Sequence, residues 1–339
     1  MGLAHFGLID RGVANQSKLS VWWRVYGQVC VRCNDTCPVP QDPICSSVES
    51  VNFLPPALSL TRKLSKGSRS LKRLGQTYSI ERRCSMTNLF NLTGKAALVT
   101  GGIGLGIARG LAQAGARVAI IARNTDKSHA AAKALAEETG VAPLVLTADV
   151  SSPDQVAAVV NEAKNGLGRI DILFNNAGIN IRKLPQDLTP EEWHQVMDVN
   201  LTSAFLLSKA VYPHMKQIGG GKIINIGSMT SYFGASYASP YATSKGGIVQ
   251  LSKSLALAWA TDNIQVNALL PGWFETELTD GARAQVPGLY ERVLARIPAG
   301  RWAKPEDIAG TAIWLASPAS GYVTGAAIPV DGGFSSSLF

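Results

Sequence analysis

The chain has 339 residues, 46% of them apolar, which suits one large globular domain or two small ones. Its net charge of +8 is lopsided: residues 1–85 carry 12 Lys/Arg against 5 Asp/Glu, and residues 86–339 carry 20 against 19. The near-neutral larger part excludes a nucleic-acid footprint, and no apolar run reaches 18 residues, which excludes a membrane span.

All five cysteines lie in residues 1–85, with a few apolar patches such as LSVWWRVYGQVCV and the basic run RKLSKGSRSLKR at 62–73. Cys30, Cys33, Cys37 and Cys45 are spaced C-x2-C-x3-C-x7-C, without the two close couples of a structural zinc site. His129, His194 and His214 are scattered, so no metal is expected. The Arg- and Ser-rich part of this segment lies too far in for a mitochondrial-type leader. A second start, MTNLFNLTGKAALVT, stands at Met86. The folded unit is expected to begin there, with residues 1–85 a largely disordered extension. The later residues have no cysteine, which fits a reducing compartment, and a cytoplasmic location is expected.

From Met86 onward strands and helices alternate. AALVT (96–100) is a short apolar strand; IGLGIARGLAQAG is helical and stops at Gly115; RVAII (117–121) is the second strand. DKSHAAAKALAEETG (126–140) is a helix closed by glycine, and PLVLTAD the third strand. SSPDQVAAVVNEAKNGLG opens on a serine cap and a proline. IDILFNNAG is a strand running into a tight turn, and TPEEWHQVMDVNLTSAFLLSKAVYPHMKQ is one or two long helices. GKIINIGS, the helix YATSKGGIVQLSKSLALAWAT, IQVNALLPG, the helix KPEDIAGTAIWLAS and AAIPVDGG complete the series. The strands are continuous apolar runs, as a parallel sheet covered on both faces requires. The predicted fold is one α/β domain over 86–339, a Rossmann-type doubly wound seven-stranded parallel sheet, with ligands beyond the carboxyl ends of the strands.

Ser228 follows the fifth strand, and Tyr241 and Lys245 stand four apart on the next helix, one turn and one face. A phenol with a pKa near 10 is a poor acid or base at neutral pH, and a neighbouring ammonium favours the phenolate. Ser228 would hold a substrate oxygen beside Tyr241. The trio suits proton transfer at an alcohol oxygen while hydride moves at the carbon.

With these residues the chain resembles the short-chain dehydrogenase/reductase family across roughly 86–339. The resemblance rests on TGG at 100–102, DV at 149–150, NNAG at 175–178, Asn200 in VNL, Ser228, YATSK at 241–245, VNALLPGWFET at 266–276 and VDGG at 330–333. It implies a cofactor site at Gly101, Gly102, Gly104, Asp149, Val150, Asn175, Ala177, Gly178, Tyr241, Lys245, Pro271, Gly272 and Thr276. In it Asp149 meets the adenine amino group, Asn175 and Ala177 line the channel, Pro271 and Gly272 border the nicotinamide, and Thr276 bonds its carboxamide. Asn200 would kink its helix and hold a relay water with Lys245. Bacterial gluconate, 2-deoxygluconate and glucose dehydrogenases look nearest, with 3-oxoacyl-carrier-protein reductases close behind.

The departure lies in the glycine turn. The family pattern is T-G-x-x-x-G-x-G, but Leu105 and Ile107 stand where glycines are expected, and the flanks match only if three residues are missing after Gly102. The missing piece is the outer part of the phosphate loop, and its loss draws the helix toward the strand or unwinds its first turn. A cofactor-poor, non-catalytic binding protein is therefore a second reading, supported by the short loop alone and opposed by the intact Ser228, Tyr241 and Lys245. At the end of the second strand Ala122 replaces the acidic residue of an NAD site, and Arg123 suits a 2′-phosphate, so NADP(H) is favoured over NAD(H). Arg182 and Lys183 lie near the expected substrate mouth and suit an acidic substrate. Gly246, Ala256 and Ala260 mark a small-residue face on the catalytic helix, and a homotetramer is expected.

Overall fold

The computed structural model describes residues 22–25, 28–31, 89–101 and 104–337. The chain divides into two units, Met1–Arg83 and Cys84–Phe339. In the first, β1 (Trp22–Val25) and β2 (Gln28–Val31) pair antiparallel, Trp23 opposite Cys30. The expectation of an extension without order otherwise falls outside the described residues, as do the remaining cysteines.

The second unit holds a seven-stranded parallel sheet: β3 (Ala96–Thr100), β4 (Arg117–Ala122), β5 (Leu144–Thr147), β6 (Ile172–Asn175), β7 (Gly221–Ile226), β8 (Ile264–Pro271) and β9 (Ala327–Val330). The order is β5-β4-β3-β6-β7-β8-β9. The chain builds outward from β3 to one edge, returns to β6, and builds to the other. The carboxyl ends of β3 and β6 therefore flank the switch point where such sheets bind ligands.

Successive residues of β3 serve opposite cores. Ala96 and Leu98 join one cluster with Val159 and Val211; Ala97 and Val99 join the other with Ile107, Leu111 and Leu315. The first face is covered by α3 (Pro153–Leu167), α5 (Ser203–Gln217) and α6 (Ser239–Trp259), and the second by α1 (Gly104–Gln113), α2 (Thr125–Thr139) and α9 (Ala309–Ala316). Local chemistry sets the helix ends. Asn124 caps α2, whose last turn closes on Gly140 at φ 74°; Ser152 caps α3, with Pro153 in the first turn.

The long segment 189–217 is interrupted. A capping box of Thr189 and Glu192 starts α4 (Pro190–Met197), and a π-turn at Asp198–Thr202 carries it into α5. The stretch 274–298 contains α7 (Glu277–Gln285) and α8 (Leu289–Ala295). Both pack into a third cluster with Trp302 and Phe334. Ala256 is buried within the chain, while Gly246 on α6 is half-buried and Ala260, just past the end of α6, is exposed.

Candidate active site

Thr100 ends β3, and its Oγ1 accepts from the backbone N–H groups of Asn176 and Ala177, each at 3.0 Å. Gly101 turns at φ 81°, and a β-carbon there would stand 2.8 Å from Ala177 Cα, so only glycine fits. This latch sets the turn after β3 against the turn after β6. Beyond it opens a hollow of about 860 Å³, walled by Gly101 and Gly106 at one end and Ala122, Arg123 and Asp149 at the other.

Asp149 lies at the end of this hollow away from Gly101. Its Oδ1 accepts from Ser151 Oγ (2.6 Å) and Ser151 N (3.0 Å), which holds its carboxyl below the usual range, with Arg123 helping. Val150, Ala177 and Gly178 also line the hollow. Lys127, on the first turn of α2, lines it beside Arg123 and was not singled out in the sequence; the Asn124 cap that places it was the available signal. Helix α1 opens at Gly104 with no acidic residue in its first turn, so its N-terminal amides favour an anion. Gly102 lies outside the described residues.

Asn175 is placed differently from expectation. It is buried, and its Nδ2 donates to Asn225 Oδ1 (2.7 Å) and Ser208 Oγ (3.1 Å), in the packing under α5 rather than in the channel. Its neighbour Asn176 takes the crevice side, lining the hollow and donating from Nδ2 to Thr100 O at 2.9 Å.

A second hollow of about 450 Å³ shares Asn176, Gly178, Thr276 and Pro305 with the first and contains Ser228, Tyr241 and Lys245. Ser231 ties its parts together. Its hydroxyl accepts from Ser228 N (3.2 Å) and donates to Lys245 O (2.7 Å), fixing the Ser228 turn to α6. Lys245 Nζ donates to Ile226 O at 2.7 Å and lies 5.7 Å from the Tyr241 ring centre. Burial pushes the Tyr241 phenol up, while the Ser228 hydroxyl's hydrogen bond and the Arg182 charge pull it back. From the sequence alone that role falls to Lys245. In the structure burial carries Lys245 itself down to about 8.

Asn200 lies in the π-turn. Its Oδ1 accepts from Ile179 N (2.8 Å), and its Nδ2 donates to Ile179 O (2.9 Å) and Ser244 Oγ (3.1 Å). It thus joins the turn after β6 to the catalytic helix. A β-carbon on Gly178 would lie 3.5 Å from Asn200 Oδ1 and 3.6 Å from Lys245 Nζ, so both groups face one small space. Pro271 and Gly272 border the second hollow, and Thr276 caps α7 where the two hollows meet. Lys183 pairs with Glu192 at 2.5 Å, whereas Arg182 lines the hollow and reaches Gln285 Oε1 at 3.2 Å.

Two joined hollows, a helix N-terminus between them, a carboxylate at one end and a serine–tyrosine–lysine group at the other fit a dinucleotide lying beside a substrate. A nicotinamide dinucleotide, when bound, supplies the hydride donor or acceptor. Arg123 and Asp149 would hold its adenosine end, and Gly178, Pro271 and Thr276 its nicotinamide end. Ser228 would donate to the substrate oxygen and orient it, and the Tyr241 hydroxyl would give a proton to that oxygen or take one from it.

Comparison with known proteins agrees. Residues 97–335 match the family profile described as enoyl-(acyl carrier protein) reductase. The 2-dehydro-3-deoxy-D-gluconate 5-dehydrogenase of Bacillus subtilis (strain 168) is 44% identical over 248 residues, spanning 72% of this chain and 96% of that protein. The gluconate 5-dehydrogenase of Gluconobacter oxydans (strain 621H) is 38% identical over 257 residues, 75% of this chain and 100% of that protein. Among solved structures, a gluconate 5-dehydrogenase from Burkholderia cenocepacia J2315 in complex with NADP and tartrate superposes with a TM-score of 0.70 at 42% identity, covering 74% of this chain and 99% of that one. Fold and site together define an NAD(P)-dependent oxidoreductase that interconverts a secondary alcohol and a ketone. The chain belongs to the short-chain dehydrogenase/reductase family.

Proposed function

We propose that this enzyme reduces a keto sugar acid, or oxidises the matching hydroxy acid, with NADP(H). One observation carries the substrate class: Arg182 lines the hollow and acts on Tyr241, and among the described residues no Asp or Glu lines that hollow. A carboxylate beside the reacting carbon is welcome there, and a cationic substrate is not. The relatives named above are sugar-acid enzymes, which supports the reading. Steady-state rates with a ketoaldonate and with a neutral ketose of equal length test it. The ketoaldonate is expected to have the higher kcat/KM, and equal values would refute it.

The choice of NADP(H) rests on Ala122, Arg123 and Lys127 at the adenosine end, where an acidic side chain would favour NAD(H). Structures of a gluconate 5-dehydrogenase from Beutenbergia cavernae, described as putative, and of a 2-deoxy-D-gluconate 3-dehydrogenase from Agrobacterium tumefaciens, also described as putative, contain NADP. Arg123→Ala is expected to erase the preference in calorimetric titrations of NADPH against NADH. Catalysis is assigned to Tyr241, Lys245 and Ser228, with Asn200 as a positioning residue. A 3-oxoacyl-carrier-protein reductase is the runner-up; faster turnover of a 3-oxoacyl thioester than of any ketoaldonate would favour it. We place the enzyme in the cytoplasm and expect a homotetramer, which light scattering tests. Among the described residues no helix is long and apolar enough to cross a membrane, and no group of acidic, histidine and cysteine side chains is arranged for a metal.

A further inference from the structure

Arg296 follows α8 and lines the substrate hollow. Its guanidinium carbon lies 4.7 Å from the Phe233 ring centre and 4.2 Å from the Phe334 ring centre. The two rings stand edge to face, with their planes 78° apart. Neighbouring arginines all have an oxygen acceptor: Arg283 has Asp280, Arg292 has Pro287 O at 2.9 Å, and Arg301 has Asp307 at 2.7 Å. Arg296 differs. Among the described residues its guanidinium is set against the two rings and makes no ion pair or hydrogen bond.

A guanidinium seated against rings, with no oxygen acceptor of its own, keeps N–H donors for a ligand. Aromatic contact fixes the side chain beforehand, so less rotamer freedom is lost when a carboxylate arrives. The C-terminal segment is built to supply one of those rings. Asp331 accepts from Gly333 N (2.9 Å) and Ser335 N (2.7 Å), and Ala299 N donates to Gly332 O (3.0 Å). Gly333 turns at φ 90°, a left-handed conformation that favours glycine, with Pro298 packed close against it. The result is a tight turn that seats Phe334, only 7% exposed, against Arg296.

We propose that Arg296 is a specificity-determining residue of the reaction, receiving through its fork the carboxylate of the sugar acid at the end remote from the carbon that Ser228 and Tyr241 address. This rests on the sugar-acid reading above. Arg182 sets the charge near the reacting oxygen, and Arg296 fixes which end of the acid points away from it. Phe233 and Phe334 are positioning residues that act through Arg296.

The test compares kcat/KM for a ketoaldonate, a ketose phosphate and a neutral ketose, with calorimetric binding of the aldonate as a second readout independent of turnover. Arg296→Gln is expected to lower the ketoaldonate-over-neutral preference at least about tenfold, the loss of one charge-assisted hydrogen bond or more. Arg296→Lys keeps charge without the fork and should fall between. Phe334→Leu, which loosens the guanidinium, should raise the ketoaldonate KM with little change in kcat. A wild-type enzyme that prefers acids, with its preference unchanged in Arg296→Gln, overturns this inference alone. A wild-type enzyme without acid preference overturns the proposed function and this inference with it. A preference for the ketose phosphate that disappears in Arg296→Gln overturns the carboxylate in favour of a phosphate.

Discussion

The two ends of the ligand crevice are built to different standards. At the Ser228–Tyr241–Lys245 end the parts are tied to one another: Ser231 ties the Ser228 turn to α6, Asn200 ties the turn after β6 to Ser244, and Lys245 is anchored on Ile226. At the glycine-turn end β3 stops at Thr100 and α1 begins at Gly104, which leaves three residues to wrap an anion. Catalytic geometry and cofactor affinity are therefore expected to be separable in this molecule, carried by different elements.

The largest effect that sharpens this contrast is on turnover. Tyr241→Phe is expected to lower kcat by about 10²–10⁴, the range for losing a general acid or base, while NADPH affinity stays within about twofold. Parallel losses of both would show that the two ends are not separable. Next, inserting Asn-Arg-Gly between Gly102 and Ile103 restores the family loop length. Each charge-assisted hydrogen bond regained to the phosphates contributes roughly 1.5–3 kcal/mol, so NADPH is expected to bind at least about tenfold tighter by calorimetry at one salt concentration. Equal binding by both versions would mean that the short loop already serves fully.

A smaller effect concerns pH. The folded pKa of Lys245, about 8, lies below the ordinary 10.5, so folding favours its neutral form. The resulting penalty is complete below pH 8 and is relieved as pH rises from 8 to 10.5. The melting temperature of the cofactor-free wild type, measured against Lys245→Met, should therefore climb across that window. Lys222, also lowered to about 8 by burial, is common to both proteins and cancels. A flat difference would show that Lys245 is better solvated than its surroundings suggest. The smallest expected effect is that of the leader: removing residues 1–85 should move the melting temperature by no more than a few degrees. A collapse would place that segment within the folding unit.

Much of this was legible because the signals were local. Continuous apolar strands, capped helices and a Tyr–Lys pair one turn apart each declare themselves within a few residues. The orientation of NNAG did not. Side chains alternate along a strand, so Asn175 and Asn176 cannot both face the crevice, and the neighbours that decide are Asn225 and Ser208, far along the chain. Helices α7 and α8 were hidden because their short apolar patterns complete a core only with Trp302 and Phe334. Arg296 was overlooked for a like reason, since its two rings lie 63 residues before it and 38 after it.

The seating of α1 explains how so short a turn coexists with an intact fold. A β-carbon on Gly106 would stand 2.3 Å from Pro305 O, and one on Gly110 would stand 2.8 Å from Ala309 Cβ. The helix is thus keyed to the 305–309 segment and does not take its position from the turn that precedes it. A deletion in that turn is absorbed at the rim of the crevice, and the sheet and its covering helices stay in register. At this junction chain length is expected to tune the grip on a phosphate without disturbing the scaffold beneath.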